Sequence, residues 1–78
     1  MDFSAHCRKM LEEREIPLAW AERAFRDPDR TEERADGTRH YLKQVPERGH
    51  RWLRVVISVA GGSPTCVTVF FDRRLRTF

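Results

Sequence analysis

The spacing of apolar residues changes from a helical to a strand period near Arg30, and this change constrains the fold more than any other feature. Before it, apolar residues follow the helical spacing i, i+4, i+7, i+8 at Phe3, Cys7, Met10 and Leu11. After it, apolar and polar residues alternate, which is the pattern of strands with one buried face. Helices followed by a run of strands predict the α+β class.

Capping and turn residues set the predicted bounds of the helices and strands. Ser4 is a suitable N-cap for the first helix, Pro17 fits the first turn of a second, and Pro28 lies beyond its end. The predicted elements are helices at about 4–15 and 17–27 and strands at about 30–35, 38–45, 50–59 and 65–72. We therefore expect a single 78-residue domain with two N-terminal helices on one face of a four-stranded antiparallel meander.

Burial of apolar side chains predicts the strand registers. Pairing Leu53 with Phe71, Val55 with Val69 and Ile57 with Val67 gives an apolar face that the helices can cover. The same register places Cys66 on the opposite face. Across the preceding turn, "PERG", we pair Val45 with His50. The opposite face then carries an aromatic and basic set made of Arg39, Tyr41, Lys43, Trp52, Arg54 and Phe70.

This face predicts RNA binding, with cleavage that would need no metal. Single-stranded RNA is bound by stacking of bases on aromatic rings and by cations at phosphates. Arg54 is the expected phosphate ligand, and Tyr41 and Trp52 are the expected stacking rings. Candidates for proton transfer and charge stabilisation are Tyr41, His6, Arg14 and Lys43, and Arg39 and Arg73 are candidates for further RNA contacts. No cofactor is predicted, and no carboxylate cluster suits Mg²⁺.

Two other interpretations remain open. Aromatic and basic side chains also occur on the solvated face of an antiparallel sheet, where cross-strand pairs contribute only about 0.2–1 kcal/mol each. Alternatively, Trp52 and Phe70 could dock a protein, either a second copy or an antitoxin-like segment. His6 and Arg14 also have structural explanations, as a backbone-bonded histidine and an arginine at a helix C-terminus.

The distribution of charge and the spacing of the cysteines indicate what kind of partner, cellular location and cysteine chemistry to expect. Formal net charge is +3, yet residues 39–78 contain only two acids, Glu47 and Asp72. That asymmetry favours an anionic partner. No apolar run is long enough to span a membrane and the first residues do not resemble a signal peptide, so a cytoplasmic location is expected. Cys7 and Cys66 lack metal-type spacing and are expected to be buried thiols.

Several segments in order resemble the domain of unknown function 4258 family of small bacterial proteins. They are "HCRKMLEEREI", "RDPDR", "DGTRHYL", "LRVVISV" and "VTVFFDRR". Matching positions include His6, Arg14, Ile16 and the Asp27-Pro28 pair, while Met10 stands where the family often has Arg. The family is in turn similar to RelE- and BrnT-type toxins, which implies a compact ribonuclease fold and an antitoxin partner. Phe70 and Phe71 lack the hydroxyl of the tyrosine that often ends the last strand.

Overall fold

The computed structural model describes residues 1–75, which form two helices and five strands. In chain order these are β1 (Asp2–Phe3), α1 (Ala5–Glu13), α2 (Leu18–Arg26), β2 (Arg30–Glu33), β3 (Thr38–Val45), β4 (Arg51–Ser58) and β5 (Thr65–Phe71). A short 3-10 turn, Pro46–Arg48, lies between β3 and β4. The predicted α+β class and its two helices are confirmed.

The sheet is mixed and has five strands in the order β1-β5-β4-β3-β2. Strands β2 to β5 form an antiparallel meander, and β1 pairs in parallel with β5. The prediction of a four-stranded antiparallel sheet is wrong in this respect. With only two residues, β1 is too short to show alternation. Tertiary hydrogen bonds hold it, from the Asp2 amide to the Pro64 carbonyl at 3.0 Å and from the Ser4 amide to the Cys66 carbonyl at 2.9 Å.

Ser4 caps α1 as predicted, because its Oγ accepts a hydrogen bond from the Cys7 amide at 3.0 Å. The chain leaves the helix through Glu15, whose φ of 53° is left-handed. This turn lets the Ile16 amide donate to the Leu11 carbonyl at 2.9 Å and places the Ile16 side chain in the core. The apolar stripe of α1 is thereby extended beyond the end of the helix.

Both helices pack on one face of the sheet, α1 against β5 and α2 against β3 and β4. Buried core residues on that side include Leu11, Ala21, Leu53, Val55, Ile57 and Val69. The Sγ atoms of Cys7 and Cys66 lie 2.8 Å apart in the same core. Both thiols are free and buried, as predicted, and burial raises the pKa of each.

The turn between β3 and β4 corrects the predicted register of the first hairpin. It contains five residues, 46–50, rather than four, because His50 joins Gly49 in the left-handed region, with φ of 61° and 67°. Val45 therefore pairs with Arg51 and not with His50. A shift of one residue moves every side chain of β3 to the other face of the sheet.

The hairpin of β4 and β5 has the predicted pairing up to Val56 and a different pairing from Ile57 onward. Leu53 pairs with Phe71 and Val55 with Val69, as expected. A β-bulge then makes Ile57 pair with Cys66 instead of Val67. Cys66 consequently faces the helices and is absent from the opposite face, where the predicted register had placed it.

Candidate nucleic-acid interface

Three of the predicted site residues lie on the helix side of the sheet or at its edge. Tyr41 pairs with Val55, and its ring centroid is 5.1 Å from that of Phe25 in α2. Lys43 is 15% exposed and its Nζ lies 2.8 Å from the Asp27 carbonyl oxygen, with two carboxylates within 3.5 Å. Arg39 is exposed and forms an ion pair with a glutamate of β2. Since β3 is shifted by one residue, none of the three shares a face with Arg54.

Arg54 lies on the opposite face and is bound to three protein side chains. Only 4% of the residue is exposed. Its Nε donates to Asp72 Oδ2 at 2.8 Å, and one terminal nitrogen lies 3.0 Å from Glu32 Oε1 and 2.8 Å from His40 Nδ1. We call these four residues the Arg54 network. Because two carboxylates neutralise its charge below the surface, Arg54 is poorly placed to hold the phosphate assigned to it from the sequence.

The electrostatics of the network favour charged acids and a neutral imidazole. Hydrogen bonds from Arg54 and Arg30 lower the pKa of Glu32 to about 2. The pKa of Asp72 is lowered most by its hydrogen bond with Arg74. Arginine can only donate, so His40 Nδ1 accepts and the ring proton lies on Nε2. Sequence reasoning missed Glu32 and His40, because the wrong register placed His40 beside the core.

Stability is expected to decline as pH falls below about 6.5, the ordinary pKa of histidine. Burial, followed by the charges of Arg54 and Arg34, lowers the pKa of His40, although Glu32 and Asp36 oppose this. The unfolded chain therefore binds this proton before the folded chain does, and the stabilisation present above pH 6.5 is lost on acidification.

Urea unfolding between pH 7 and 5 measures this decline. His40→Asn is a suitable comparison because Asn Oδ1 can accept from Arg54 in place of Nδ1 but does not titrate. The variant should lose less stability over that interval than the wild type. An equal loss in both proteins would show that His40 is not the responsible group.

The four remaining predicted residues are dispersed. His6 and Arg14 are both exposed, but they lie at opposite ends of α1, about 12 Å apart along the helix axis. Trp52 is half-buried on the sheet face opposite the helices, and Arg73 is exposed just after β5. The eight residues selected from the sequence therefore do not form one site.

A basic cleft nevertheless contains two of them. It has a volume of about 420 Å³ and is lined by Arg14, Arg48, Arg51, Phe71 and Arg73. We call these five residues the basic cleft. The end of α1, the turn after β3, the start of β4 and the end of β5 supply them, and all four elements meet at one end of the sheet.

Aromatic rings contact two of the cleft arginines, Arg48 and Arg51. The guanidinium carbon of Arg51 is 4.9 Å from the Phe71 ring centroid, and that of Arg48 is 5.7 Å from it. Arg48 also lies 5.2 Å from the Trp20 ring and donates to the Glu15 carbonyl at 2.7 Å. These contacts orient the cations without neutralising them, since ring faces and carbonyls carry no net charge.

Within residues 1–75, none of the cleft arginines has a carboxylate within 4.0 Å. The remainder of the described chain gives a contrast, because six of its eight arginines are paired with Asp or Glu and only Arg8 and Arg26 are not. Those paired arginines are Arg23, Arg30, Arg34, Arg39, Arg54 and Arg74. Like charges collected in one cleft repel one another unless an anion is bound. The basic cleft is therefore a candidate anion site.

Over 1–75, no three His, Cys, Asp or Glu side chains lie close enough together to hold a metal ion. Neither of the two helices described there has the length and apolar character needed to cross a membrane.

The chain matches a family model described as a domain of unknown function (DUF4258) over residues 3–71. No curated protein and no solved structure matches it. The matched segment includes both helices and strands β2 to β5 completely. It also includes every residue of the basic cleft except Arg73. The likeness to RelE- and BrnT-type toxins stays a prediction. The predicted resemblance to DUF4258 is confirmed, and this chain belongs to the DUF4258 family.

Proposed function

We propose that this protein binds RNA, and that the basic cleft holds the phosphates. The observation that carries this proposal is the contrast between the cleft arginines, which lack carboxylate partners in residues 1–75, and the paired arginines elsewhere. Guanidinium groups suit phosphate because their planar donors bind two oxygens at once. An RNA ligand also fits the expected cytoplasmic location.

The proposal is limited to binding because of the chemistry of the cleft lining. It consists of four guanidinium groups and a phenyl ring. Arginine keeps its proton throughout the physiological pH range, so none of these groups can act as a general base toward a 2′-hydroxyl. Arginine can stabilise a phosphate bearing extra negative charge, but cleavage would need a base supplied from outside this lining.

A toxin of the RelE or BrnT type is a narrower form of the same proposal. It rests on the family resemblance alone, and it adds RNA cleavage and an antitoxin partner. Fold-level likeness is weak support for an activity. Such a partner would be expected to be acidic where it covers the basic cleft, because charge complementarity guides association.

The alternative proposal is a protein-interaction module that uses Trp52 and Phe70. Both side chains are half-buried, and the Arg54 network occupies the centre of their face. The large apolar side chains classed as exposed in residues 1–75 are Met1 and Val59, and neither belongs to the Trp52 and Phe70 pair. A protein-docking surface normally presents a larger contiguous apolar patch. RNA binding is therefore the better supported proposal.

Fluorescence anisotropy with a labelled single-stranded RNA tests the proposal. The triple variant Arg14→Ala/Arg51→Ala/Arg73→Ala should weaken binding at least about 30-fold near 100 mM salt. The slope of log K against log salt should fall in magnitude by about 2, since each phosphate contact on a single strand contributes about 0.7.

The matched control is Arg23→Ala/Arg30→Ala/Arg34→Ala, which removes three arginines that are paired with carboxylates. Both triple variants carry a formal net charge of zero, which is the original +3 less three. The control should change the affinity less than about 3-fold. Absence of saturable RNA binding by the wild type, or equal impairment of the two triples, would overturn the proposal.

A further inference from the structure

A second groove adjoins the basic cleft and shares two of its arginines. It also measures about 420 Å³ and is lined by Arg51, Trp52, Asp72, Arg73 and Leu75. Arg51 and Arg73 line both spaces. We call these two residues the cation ridge and the second space the Trp52 groove. The ridge is bordered by one groove on each side.

The two grooves lie on opposite faces of the sheet, which follows from strand alternation. Phe71 pairs with Leu53 and so faces the helices. Trp52 is adjacent to Leu53 in β4 and pairs with Gln44, so it faces away from the helices. The end of the sheet therefore presents an aromatic ring on each side of the cation ridge.

The charge of the Trp52 groove does not oppose an anionic ligand. Its one acid, Asp72, is compensated by Arg54, whose Nε lies 2.8 Å from Oδ2. Arg74 adds three more donors, its backbone amide at 2.9 Å and two guanidinium nitrogens at 3.1 Å. The cation ridge, in contrast, has no carboxylate within ion-pair distance in residues 1–75. The net field at the ridge is consequently positive.

We infer that the Trp52 groove is a base-binding subsite for single-stranded RNA. One nucleotide stacks its base on Trp52 while its phosphate lies on the cation ridge, and the strand continues into the basic cleft. This inference rests on the proposed function and names its ligand class.

Single-stranded RNA is specified because the ridge separates the two rings. An unpaired strand can turn a base toward each side, whereas the bases of a duplex are stacked on one another and paired. Aromatic stacking is tolerant of base identity, so we expect little sequence preference at this subsite.

The first experiment compares Trp52→Leu and Trp52→Phe by anisotropy. A single-stranded decamer without self-complementarity should bind Trp52→Leu about 10-fold more weakly than the wild type, and Trp52→Phe should stay within about 3-fold. The same sequence as a duplex should bind the wild type at least about 10-fold more weakly than the single strand, with no further loss in Trp52→Leu.

A second measurement leaves Trp52 in place, so it does not depend on the folding of the leucine variant. In a Trp20→Phe background, Trp52 is the remaining tryptophan, since the chain has two. Its fluorescence should be quenched by the single strand in proportion to the anisotropy change. Quenching should be absent with inorganic phosphate, which can bind the ridge but cannot stack.

Failure of the inference and failure of the proposed function give different results. If the single strand binds wild type and Trp52→Leu equally and leaves Trp52 fluorescence unchanged, the subsite is absent and RNA binding by the basic cleft stands. If neither single strand nor duplex binds the wild type, both proposals are overturned.

Discussion

Replacement of Arg54 by methionine is expected to lower the free energy of unfolding by about 3 kcal/mol. Methionine occupies the volume of the arginine stem but leaves Asp72, 4% exposed, without one of its two arginine partners. Removal of one member of a buried ion pair costs about 3–5 kcal/mol. Because Asp72 retains Arg74, the value should fall at the lower end. Urea unfolding followed by circular dichroism measures it.

The control for this prediction is Arg23→Met. Arg23 makes a bidentate pair with Glu47 at 3.1 and 2.9 Å, but the pair lies at the surface, so little change is expected. The double variant Arg54→Met/Asp72→Leu should recover much of the loss, because no buried charge then remains unpaired. Equal, small effects of Arg54→Met and Arg23→Met would show that the Arg54 network does not stabilise the fold.

Replacement of Tyr41 by alanine is expected to cost about 2–3 kcal/mol. Truncation of a fully buried aromatic residue costs about 3–5 kcal/mol, and the half-buried Tyr41 should lose somewhat less. The reason is its position between the sheet and α2, with its ring against Phe25. In the register predicted from the sequence, Tyr41 would lie on the open face, where substitutions usually change stability by less than about 0.5 kcal/mol.

Tyr41→Phe distinguishes the contribution of ring packing to stability from that of the hydroxyl group. It preserves the ring contact with Phe25, so its stability should remain within about 1 kcal/mol of the wild type. The same urea titration is used for both variants. A loss below about 0.5 kcal/mol for Tyr41→Ala would contradict the observed register of the first hairpin and reopen the role of Tyr41 in RNA binding.

The partition of arginines connects the fold to the proposed function. On the face opposite the helices, arginines such as Arg54 and Arg74 form ion pairs with carboxylates and stabilise the fold. At one end of the sheet, Arg14, Arg51 and Arg73 have no such partners in residues 1–75 and gather around aromatic rings. The same residue type thus has two different roles, which the count of charges does not distinguish.

The helices could be predicted because their determinants are local. Ser4 directly precedes the first residue of α1, Ala5, and its side chain caps the amide three residues later. The pairing of Leu53 with Phe71 was also predictable, since a slip of one residue would mix apolar and polar side chains on the face that the helices cover. Strand β1 was not predictable, because two residues have no measurable period and its pairing depends on β5, more than sixty residues away.

The candidate site was predicted only in part, for a related reason. Arg14 and Arg73 were selected from the sequence and do line the basic cleft, but Arg48 and Arg51 were not selected. A usable signal existed, because Arg48 lies in the turn after β3 and Arg51 directly follows it, at the end of the sheet where β5 also ends. The predicted site was instead built from alternate side chains of β3. The face on which they lie depends on the length of that turn, which was predicted one residue too short.

The sequence by itself determined the two helices, strands β2 to β5 and the pairing of β4 with β5 at Leu53 and Val55, because these depend on local caps and apolar period. The tertiary structure alone decided the register of β3. His50 adopts a left-handed conformation that lengthens the turn by one residue. Because side chains of a strand alternate between the two faces, this one-residue shift places every side chain of β3 on the face opposite to the predicted one. This change of face, together with the meeting of distant elements at one end of the sheet, decides which arginines pair with carboxylates and which remain available to an anion.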